Sequence, residues 1–344
     1  MNLNQRIKLL SEIGKDFADI CKNSSDNEFP GFEKIYHHNP WFTEEFVKFS
    51  LSEWSKQLTE ENLKNWLKKY EIPDKTNDKI RLGLIMAGNI PLVGFHDLIC
   101  GFITGVSISA KLSSKDKLLT EWLINKFYQK APELKKHITY TEEKLTNYNT
   151  IIATGSNNTN RYFEYYFSGY PNILRKNRNS VAILTGNETR EELEKLADDI
   201  FIYFGLGCRN VSKLFLPLNY DFNNMGKAFQ KYLHLADHHK YANNLNYQYA
   251  LIAMNQIEHV NFGNLLLIEK KELYSPVSVI NFEYYPDLEY VKKNIYLNIE
   301  NIQCVVSPKN ISENTVSYGN SQKPDITDYA DGIDTINFIL NLQK

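Results

Sequence analysis

Cysteine is scarce in this chain, and its few cysteines lie far apart. The 344 residues include four, Cys21, Cys100, Cys208 and Cys304, and none belongs to a Cys-x-x-Cys pair. A structural zinc site or a disulfide scaffold needs cysteines at closer spacing, so the sequence predicts neither. The pair His37-His38 resembles metal ligands, but adjacent side chains point apart, and we interpret both as solvated surface histidines. We therefore predict no metal site.

Long apolar runs and an excess of one charge are also missing. No stretch of 18 or more apolar residues occurs, and the N-terminus lacks the apolar core of a signal peptide. We therefore predict no membrane span and a cytoplasmic location. With 39 basic and 41 acidic residues the net charge is −2, which gives no reason to predict a nucleic acid as partner.

The chain is long enough for two domains, and its pattern changes after about 75 residues. Apolar residues of the first part recur at helical spacing, as in Ile7, Leu10 and Phe17. Beyond a break at 73–75, short apolar runs alternate with helical patterns. The predicted parts are a helical N-terminal segment (1–75), two strand–helix domains (76–178 and 179–310) and a tail that packs back on the body (311–344).

Alternation of strands and helices predicts mostly parallel sheets with helices on both faces. The predicted strands are 80–86, 106–111, 137–141, 150–154, 173–174, 180–184, 213–218, 265–268, 277–282 and 302–306. The predicted helices of this part are 93–104, 113–128, 157–167, 190–204, 225–236, 241–260 and 288–297.

The stretch Gly205-Leu206-Gly207-Cys208 lies between the predicted helix 190–204 and the predicted strand 213–218. Two glycines allow the backbone to leave a helix through a left-handed turn. Cys208 then sits where a new helical turn begins, beside backbone N–H groups and the cationic Arg209 and Lys213, which stabilise a thiolate. The residues alone leave two interpretations open: a buried, inert cysteine and an activated nucleophile.

Three loops follow predicted strands at the edge where parallel α/β sheets bind ligands. In the loop 88–91, the amide of Asn89 suits an oxyanion, or Asn89 is a plain turn residue. Lys111 ends a strand and suits a ribose hydroxyl or a phosphate, or is a surface lysine. The third loop, Thr154-Gly155-Ser156, precedes a helix whose N-terminus suits a phosphate. No Gly-x-Gly-x-x-Gly or Walker A motif accompanies these loops.

Five short motifs taken in order are more specific than any one of them. They are Ala-Gly-Asn-Ile-Pro-Leu (87–92), Ala-Lys-Leu-Ser-Ser (110–114), Thr-Gly-Ser (154–156), Gly-Leu-Gly-Cys (205–208) and Glu-Leu-Tyr-Ser-Pro-Val (272–277). Their order and gaps resemble the aldehyde dehydrogenase superfamily over about residues 80–320. The resemblance is closest to the LuxC-type acyl-CoA reductases, the fatty-acid reductases of bacterial bioluminescence. Two further stretches, 39–43 and 328–332, look like the shorter members of that family.

The resemblance implies an aldehyde-dehydrogenase-like α/β fold with two Rossmann-like parallel-sheet domains and a helical N-terminal segment. In that fold the domain 76–178 binds a nicotinamide cofactor, and the domain 179–310 carries the nucleophile. The resemblance implies Cys208 as the nucleophile and Asn89 as the oxyanion donor. The cofactor-binding residues that we predict on the same basis are Lys111, Ser114, Thr154, Gly155, Ser156 and Glu272.

Two departures from the superfamily pattern bear on the reaction. Aldehyde-oxidising members carry a Glu-Leu-Gly-Gly-Lys segment whose carboxylate activates water, whereas residues 173–180 contain no acid here. Without a general base, water attacks a thioester slowly, so an acyl-enzyme on Cys208 should persist until a hydride reaches it. The superfamily's Lys-Pro-Ser-Glu turn ends here in the neutral Ser114, which does not repel a 2′-phosphate. We predict NADPH as the cofactor, with NADH as the alternative.

These inferences together predict an NAD(P)H-dependent reductase that converts an acyl-CoA or acyl-protein thioester to an aldehyde. Alternatives on the same scaffold are a CoA-acylating aldehyde dehydrogenase and an acyl-phosphate reductase. An alternative of another class is a non-catalytic nucleotide-binding subunit of an acyl-transfer complex. The predicted partners are the thioester and an acyl-protein synthetase or acyl-transferase subunit, and a homo-oligomer is compatible with the sequence.

Overall fold

The structure is a computed structural model that describes residues 1–22 and 28–343. The chain divides into two compact units, Met1–Lys176 with Asp325–Lys344, and Asn177–Pro324. This division does not test the finer four-part division predicted from the sequence, which stays a prediction. Within the described part of the chain, no helix combines the length and the apolarity that crossing a membrane requires.

The first unit begins with a helical segment. Its helices are α1 (Leu3–Cys21), α2 (Phe32–His38), α3 (Glu44–Gln57) and α4 (Glu60–Leu67). Asn2, Thr43 and Thr59 precede α1, α3 and α4, and each side chain accepts a hydrogen bond from a backbone N–H of the first turn. Leu10 and Ile13 of α1 are fully buried on its apolar face. The predicted helical N-terminal segment is therefore confirmed.

The sheet of the first unit is entirely parallel, with the strand order β3-β2-β1-β4-β5. Its strands are β1 (Asn77–Ile85), β2 (Val106–Lys111), β3 (Ile138–Thr141), β4 (Thr150–Thr154) and β5 (Asn172–Arg175). The connecting helices are α5 (Phe95–Thr104), α6 (Lys117–Lys130) with a 3-10 helix at Pro132–Lys136, and α7 (Asn157–Phe167). This order places the carboxyl ends of β2, β1 and β4 side by side.

The last residues of the chain complete the core of the first unit. The last helix of the chain, α12 (Thr335–Asn341), packs against α5. Its Ile336 and Ile339 are fully buried in the same apolar cluster as Ile99 and Ile103 of α5. The first unit is therefore built from two distant parts of the chain.

The second unit contains a seven-stranded sheet with the order β12-β11-β6-β7-β10-β9-β8. Its strands are β6 (Asn179–Ile183), β7 (Val211–Pro217), β8 (His259–Asn261), β9 (Leu266–Glu269), β10 (Val279–Tyr285), β11 (Ile302–Val306) and β12 (Thr315–Val316). Only β8 runs antiparallel to its neighbour among these described strands. The α-helices are α8 (Arg190–Phe201), α9 (Phe222–Phe229), α10 (His239–Met254) and α11 (Leu288–Leu297). The predicted fold class, α/β with two Rossmann-like parallel sheets, is confirmed.

Three predicted helices of the second unit are shorter in the structure. Helix 190–204 ends at Phe201 and continues as a 3-10 helix, Ile202–Gly205. The predicted helix 225–236 is α9 followed by a 3-10 helix, Gln230–Asp237. The predicted helix 241–260 ends at Met254, because Gln256 has a left-handed backbone (φ 53°) and residues 259–261 pair with β9 instead. Apolar spacing continued across each of these ends, so spacing alone did not reveal them.

Candidate active site

Cys208 is exposed on a short turn between α8 and β7, here called the cysteine turn (residues 207–210). The backbone N–H of Asn210 donates to the carbonyl of Gly207 at 3.0 Å, so Cys208 and Arg209 are the central residues of a four-residue turn. The turn is followed directly by β7 at Val211 rather than by a helix. The predicted helical turn at Cys208 is therefore wrong, and a tight turn presents the thiol instead.

Three consecutive residues before the cysteine turn have left-handed backbones: Tyr203 (φ 58°), Phe204 (φ 57°) and Gly205 (φ 74°). This conformation costs a residue with a side chain about 1–2 kcal/mol, so tertiary contacts must compensate for it. Tyr203 and Phe204 are buried, and the Phe204 ring centroid lies 4.6 Å from that of His238. The left-handed turn predicted at the glycines is correct at Gly205 and begins two residues earlier, because aromatic packing stabilises it.

Asn210 fixes the cysteine turn, and the sequence analysis missed it. Its buried amide group donates to the carbonyls of Asp199 (3.2 Å), Ile200 (3.2 Å) and Ile202 (2.8 Å) at the end of α8. Its Oδ1 accepts from the backbone N–H of Gly207 at 2.8 Å. One side chain therefore joins the end of α8 to the turn. Asparagine is common in turns, and Asn210 stands three residues after Gly207, so this signal was available in the sequence.

Buried residues of the strands β6 and β11 hold the backbone of Cys208 in place. The Ser180 hydroxyl donates to the Cys208 carbonyl at 3.0 Å and accepts from the backbone N–H of Cys304 at 3.2 Å. The Cys304 thiol lies 3.0 Å from the same hydroxyl and is buried. Of the two cysteines in the second unit, Cys208 is therefore the one that presents its thiol to solvent.

Arg209 attaches the other side of the cysteine turn to a loop near the end of the second unit. Its Nε donates to the carbonyl of Ser321 at 2.6 Å. Asp199 holds this loop by accepting from the backbone N–H groups of Gly319 (2.6 Å) and Ser321 (2.8 Å). Burial raises the pKa of Asp199 to about 6, although both N–H groups oppose the increase.

Lys213 does not supply the positive potential that we predicted for the thiol. Its ammonium is fully buried, 2.7 Å from Oε2 of Glu283 and 2.6 Å from the carbonyl of Lys270. Tyr290 donates to the other carboxylate oxygen of Glu283. The charge of Lys213 is therefore compensated within the core, and the prediction is corrected.

Glu272 is exposed on a loop that is bound to β7 and β10. Ser212 donates to the carbonyl of Leu273 at 2.7 Å, and the amide of Asn281 donates to the carbonyl of Glu272 at 3.0 Å. Ser212 lies two residues after the cysteine turn. The structure therefore brings the Glu272 loop and the cysteine turn to one edge of the second sheet, at the amino ends of β7 and β10.

A narrow crevice of about 30 Å³ lies beside the cysteine turn within the second unit. Its wall includes Gly205 before the turn and Ser212 after it. Most of the other side chains on the wall are apolar, among them Phe201, Phe204, Val211, Leu265, Val277 and Val279.

Asn89 is half-buried on the loop after β1, at the carboxyl edge of the first sheet. A Cβ on the preceding Gly88 would lie 2.4 Å from the hydroxyl oxygen of Ser113, so the loop packs closely where only glycine fits. Ser50 of α3 donates to the carbonyl of Pro91 at 3.0 Å. Helix α5 begins at Phe95, four residues after Pro91 and two residues after the predicted start of this helix at residue 93.

Lys111 ends β2, and the β2–α6 turn (residues 112–116) follows it. Asp116 in this turn is 3% exposed, and its Oδ2 accepts from the backbone N–H of Leu92 at 2.8 Å. Leu92 has a left-handed backbone (φ 57°), which this contact helps to fix. Burial raises the pKa of Asp116 well above its usual value. Asp116 therefore joins the loop of Asn89 to the loop of Lys111, and the sequence analysis missed it.

Thr154 ends β4, and Ser156 caps α7 by accepting from the backbone N–H of Thr159 at 3.3 Å. The first turn of α7 has no acidic residue, so the positive end of the helix dipole is not neutralised there. Asn160 of this turn is 1% exposed, and neither polar atom of its side chain has a hydrogen-bond partner among the described residues. This geometry fits a phosphate at the helix N-terminus.

Arg175, at the end of β5, lies in the stretch that lacks an acid. Its guanidinium binds both carboxylate oxygens of Asp97 (2.7 and 3.3 Å), the carbonyl of Ala330 (2.6 Å) and the hydroxyl of Thr335 (2.9 Å). The pair is mostly buried. The carboxylate of Asp97, which contacts this end of β5, is therefore bound by Arg175 in an ion pair.

The predicted site residues fall into two groups, one in each unit. In the first unit Asn89, Lys111 and Ser114 lie on adjoining loops, and Thr154, Gly155 and Ser156 end the strand β4, which pairs with β1. In the second unit Cys208 and Glu272 lie on loops at the same sheet edge.

Neither a protein-family model nor a curated protein matches this chain, but solved structures do. The chain is similar to aldehyde dehydrogenase 21 from Physcomitrella patens, solved with the product succinate, at 11% identity and a TM-score of 0.67. That comparison covers 95% of this chain and 79% of the other. Two aldehyde dehydrogenases solved with NAD+ are similar at 12% identity and a TM-score of 0.61, from Mycobacterium tuberculosis (89% and 73% covered) and from Bacillus cereus (89% and 72%). The chain thus has the fold of the aldehyde dehydrogenases, as predicted.

Proposed function

On this aldehyde dehydrogenase fold, we propose that the chain reduces an acyl-CoA or acyl-protein thioester to an aldehyde, as a LuxC-type reductase. The observation that carries the proposal is the presentation of Cys208. Its thiol is exposed at the centre of a tight turn, and Asn210 and Ser180 hold that turn from the protein side. An inert structural cysteine is normally buried, whereas a nucleophile must be accessible and fixed.

In the first half of the reaction the Cys208 thiolate attacks the carbonyl carbon of the substrate thioester. The bond to the donor sulfur breaks, CoA or the protein thiol leaves as a thiolate, and the acyl group stays on Cys208. The attacked oxygen carries negative charge in the transition state. On the basis of the resemblance, the amide of Asn89 and the backbone N–H of Cys208 donate hydrogen bonds to that oxygen.

For the second half, a reduced nicotinamide cofactor bound to the loops of the first unit would supply a hydride to the acyl carbon. The bond from that carbon to the sulfur of Cys208 breaks, the thiolate is regenerated, and the aldehyde leaves. This sequence consumes no water and needs no residue to activate water. Residues 173–180 contain no acid, and Arg175 of that stretch binds the carboxylate of Asp97. Both observations support reduction of the acyl-enzyme over its hydrolysis.

We propose NADPH rather than NADH as the cofactor of the first unit, and the charges of the β2–α6 turn support this choice. The β2–α6 turn exposes Ser114 and Lys115, whereas its acid, Asp116, is buried against the N–H of Leu92. A phosphate beside Ser114 therefore meets no exposed carboxylate of this turn. The N-terminus of α7, capped by Ser156, suits the pyrophosphate. The resemblance assigns Glu272 to the cofactor as well.

The test is an assay of NADPH oxidation against acyl-CoAs of several chain lengths and acyl phosphates, with identification of the product. We expect thioester-dependent oxidation with aldehyde as product, a loss of several orders of magnitude in Cys208→Ala, and near-normal activity in the matched control Cys21→Ser. Oxidation with acyl phosphate alone would favour the acyl-phosphate reductase. Covalent acylation of Cys208→Ala, or no oxidation with any donor, would contradict the proposal.

A further inference from the structure

The end of α2 reaches the β2–α6 turn of the first unit. The Nε2 of His38 lies 2.7 Å from the carbonyl oxygen of Ser114, and the amide of Asn39 donates to the carbonyl of Lys115 at 3.1 Å. A carbonyl only accepts hydrogen bonds, so Nε2 of His38 is the donor in its contact. Two successive carbonyls of the turn are thus bound by residues that lie 76 positions earlier in the chain.

Asn39 is itself fixed in place, as a positioning residue must be. It is 6% exposed, and its Oδ1 accepts a hydrogen bond from the backbone N–H of Trp41 at 3.2 Å. Its backbone carbonyl accepts from the backbone N–H of Phe42 at 2.8 Å. The amide that reaches Lys115 is therefore oriented before any ligand arrives. These contacts give a role to the stretch 39–43, which the proposed chemistry does not use.

The opposite side of the β2–α6 turn is held just as firmly. Gly88 packs against Ser113, and the Asp116 carboxylate accepts from the N–H of Leu92. The ammonium of the next residue, Lys117, lies 2.6 Å from Glu142, so its charge is compensated. The side chains that the turn leaves exposed are those of Ser114 and Lys115, a neutral hydroxyl and a cation.

We propose that His38 and Asn39 are positioning residues that make the β2–α6 turn selective for a nucleotide with a 2′-phosphate. The inference rests on the proposed function, which assigns this turn to the cofactor. The oxygen is the negative end of a peptide carbonyl dipole. The carbonyl oxygens of Ser114 and Lys115 would therefore repel a phosphate if they faced it. Their hydrogen bonds to His38 and Asn39 direct both oxygens toward α2, which leaves the hydroxyl and the ammonium to contact the phosphate.

The test measures binding by isothermal titration calorimetry on the full chain, with adenosine 2′,5′-bisphosphate and 5′-AMP as probes. We expect the wild type to bind the bisphosphate at least about tenfold more tightly than AMP. His38→Ala and Asn39→Asp should lose most of that ratio while keeping their affinity for AMP. Asn39→Asp retains the acceptor for Trp41 but replaces the donor to Lys115 by a carboxylate oxygen, whose charge also repels a phosphate, so His38→Ala, which adds no charge, is the deciding variant. The adjacent, exposed His37, which lies 3.6 Å from Glu33, provides the control His37→Ala, which should keep the wild-type ratio.

Kinetics provide a second readout that a general loss of structure would not mimic. In His38→Ala we expect a higher KM for NADPH, an unchanged KM for NADH and an unchanged kcat. If Asn39→Asp unfolds, His38→Ala still decides, because His38 is exposed. A wild-type ratio in His38→Ala overturns this inference and leaves the proposed function intact. A wild-type chain that binds neither probe overturns the cofactor assignment itself.

Discussion

At the scale of single residues, the loops of the two proposed reactive residues depend on buried polar side chains that have no part in the proposed chemistry. Asn210 satisfies three carbonyls and one N–H around Cys208, and Asp116 satisfies the N–H of Leu92 near Asn89. A buried backbone group that loses its partner costs about 1–3 kcal/mol, so each of these side chains stabilises one arrangement of its loop. The geometry of the proposed site therefore depends on residues outside the proposed reacting groups.

Asn89 is predicted to act on turnover and not on cofactor affinity. Asn89→Ala should lower kcat by ~10²–10³, as for the loss of one oxyanion donor, with the Kd for NADPH unchanged. Ser50→Ala is the control, because it removes only the hydroxyl that holds the carbonyl of Pro91 in the same loop. Unchanged turnover in Asn89→Ala, or simple unfolding, would assign Asn89 to the structure of the turn.

We predict that Asp199 makes a pH-dependent contribution to the free energy of unfolding. Its folded pKa of about 6 lies above the ordinary 3.8, so the folded chain binds this proton more tightly than the unfolded chain. The contribution is therefore fully present below about pH 4 and is lost as the pH rises through about 6. We expect the difference in unfolding free energy between wild type and Asp199→Asn to fall by about 2–3 kcal/mol from pH 4 to pH 7. Urea titrations at several pH values measure it, and a pH-independent difference would refute the assignment.

The sequence predicts Cys208 and Asn89 as the reactive residues, and that assignment stays a prediction, whereas the residues that hold their loops were not predicted. Cys208 and Asn89 stand in short motifs whose order is specific. Asp116 binds a backbone N–H 24 positions earlier, and Ser180 binds a carbonyl 28 positions later. Such partners depend on which strands are neighbours. Sequence periodicity does not give that order, and an aspartate before a helix is normally a cap.

At the scale of elements, predicted bounds agree best where local signals mark both ends. The bounds of β2, β4, α7, α11 and β11 match the predicted ranges residue for residue. Ser156 and Asp287 cap α7 and α11, and both are readable in the sequence. The end of α8 was missed because buried packing of Tyr203 and Phe204 stabilises left-handed backbones that few residues adopt. A local pattern does not reveal such a tertiary effect.

Strand β5 leads to a prediction about the fate of the acyl-enzyme. Because residues 173–180 carry no acid, enzyme mixed with acyl-CoA alone should keep a thioester on Cys208, and NADPH should discharge it as aldehyde. Leu174→Glu should increase release of free fatty acid, whereas the isosteric Leu174→Gln should not. Mass spectrometry of the acylated protein and its products measures both. Rapid hydrolysis in the wild type would reveal another base, with Glu164, 2.9 Å from Lys176, and His259 as candidates, and would replace the reductase proposal by a thioesterase or a dehydrogenase.

At the scale of the whole molecule, the chain leaves its first unit at Lys176 and returns to it at Asp325. The returning residues do more than cover the surface. Tyr329 accepts from the indole N–H of Trp66 at 2.9 Å, and Ile326 accepts from His96 at 2.9 Å. Tyr329 and its neighbours belong to the stretch 328–332, so that motif has a structural role in the first unit.

Removal of residues 325–344 should therefore unfold the first unit and leave the second largely intact. The truncation exposes the face of α5 that α12 covers, and it takes the carbonyl of Ala330 and the hydroxyl of Thr335 from the buried guanidinium of Arg175. Arg175 keeps its ion pair with Asp97 but loses two hydrogen-bond partners, which is costly, and the lost apolar contacts add to that cost. Thr335→Val is the control, because it removes one hydrogen bond and keeps the shape, at about 1–3 kcal/mol.

Hydrogen exchange followed by mass spectrometry can resolve the two units separately. After truncation we expect amide protection to be lost in α5 and β5 and to be kept in β7 and β10. Binding of adenosine 2′,5′-bisphosphate should be lost in parallel, since the proposed cofactor loops belong to the first unit. Thr335→Val should keep both protection and binding. If α5 stays protected without the tail, the first unit is stable from residues 1–176 alone, and the tail's buried contacts are an addition to a complete core.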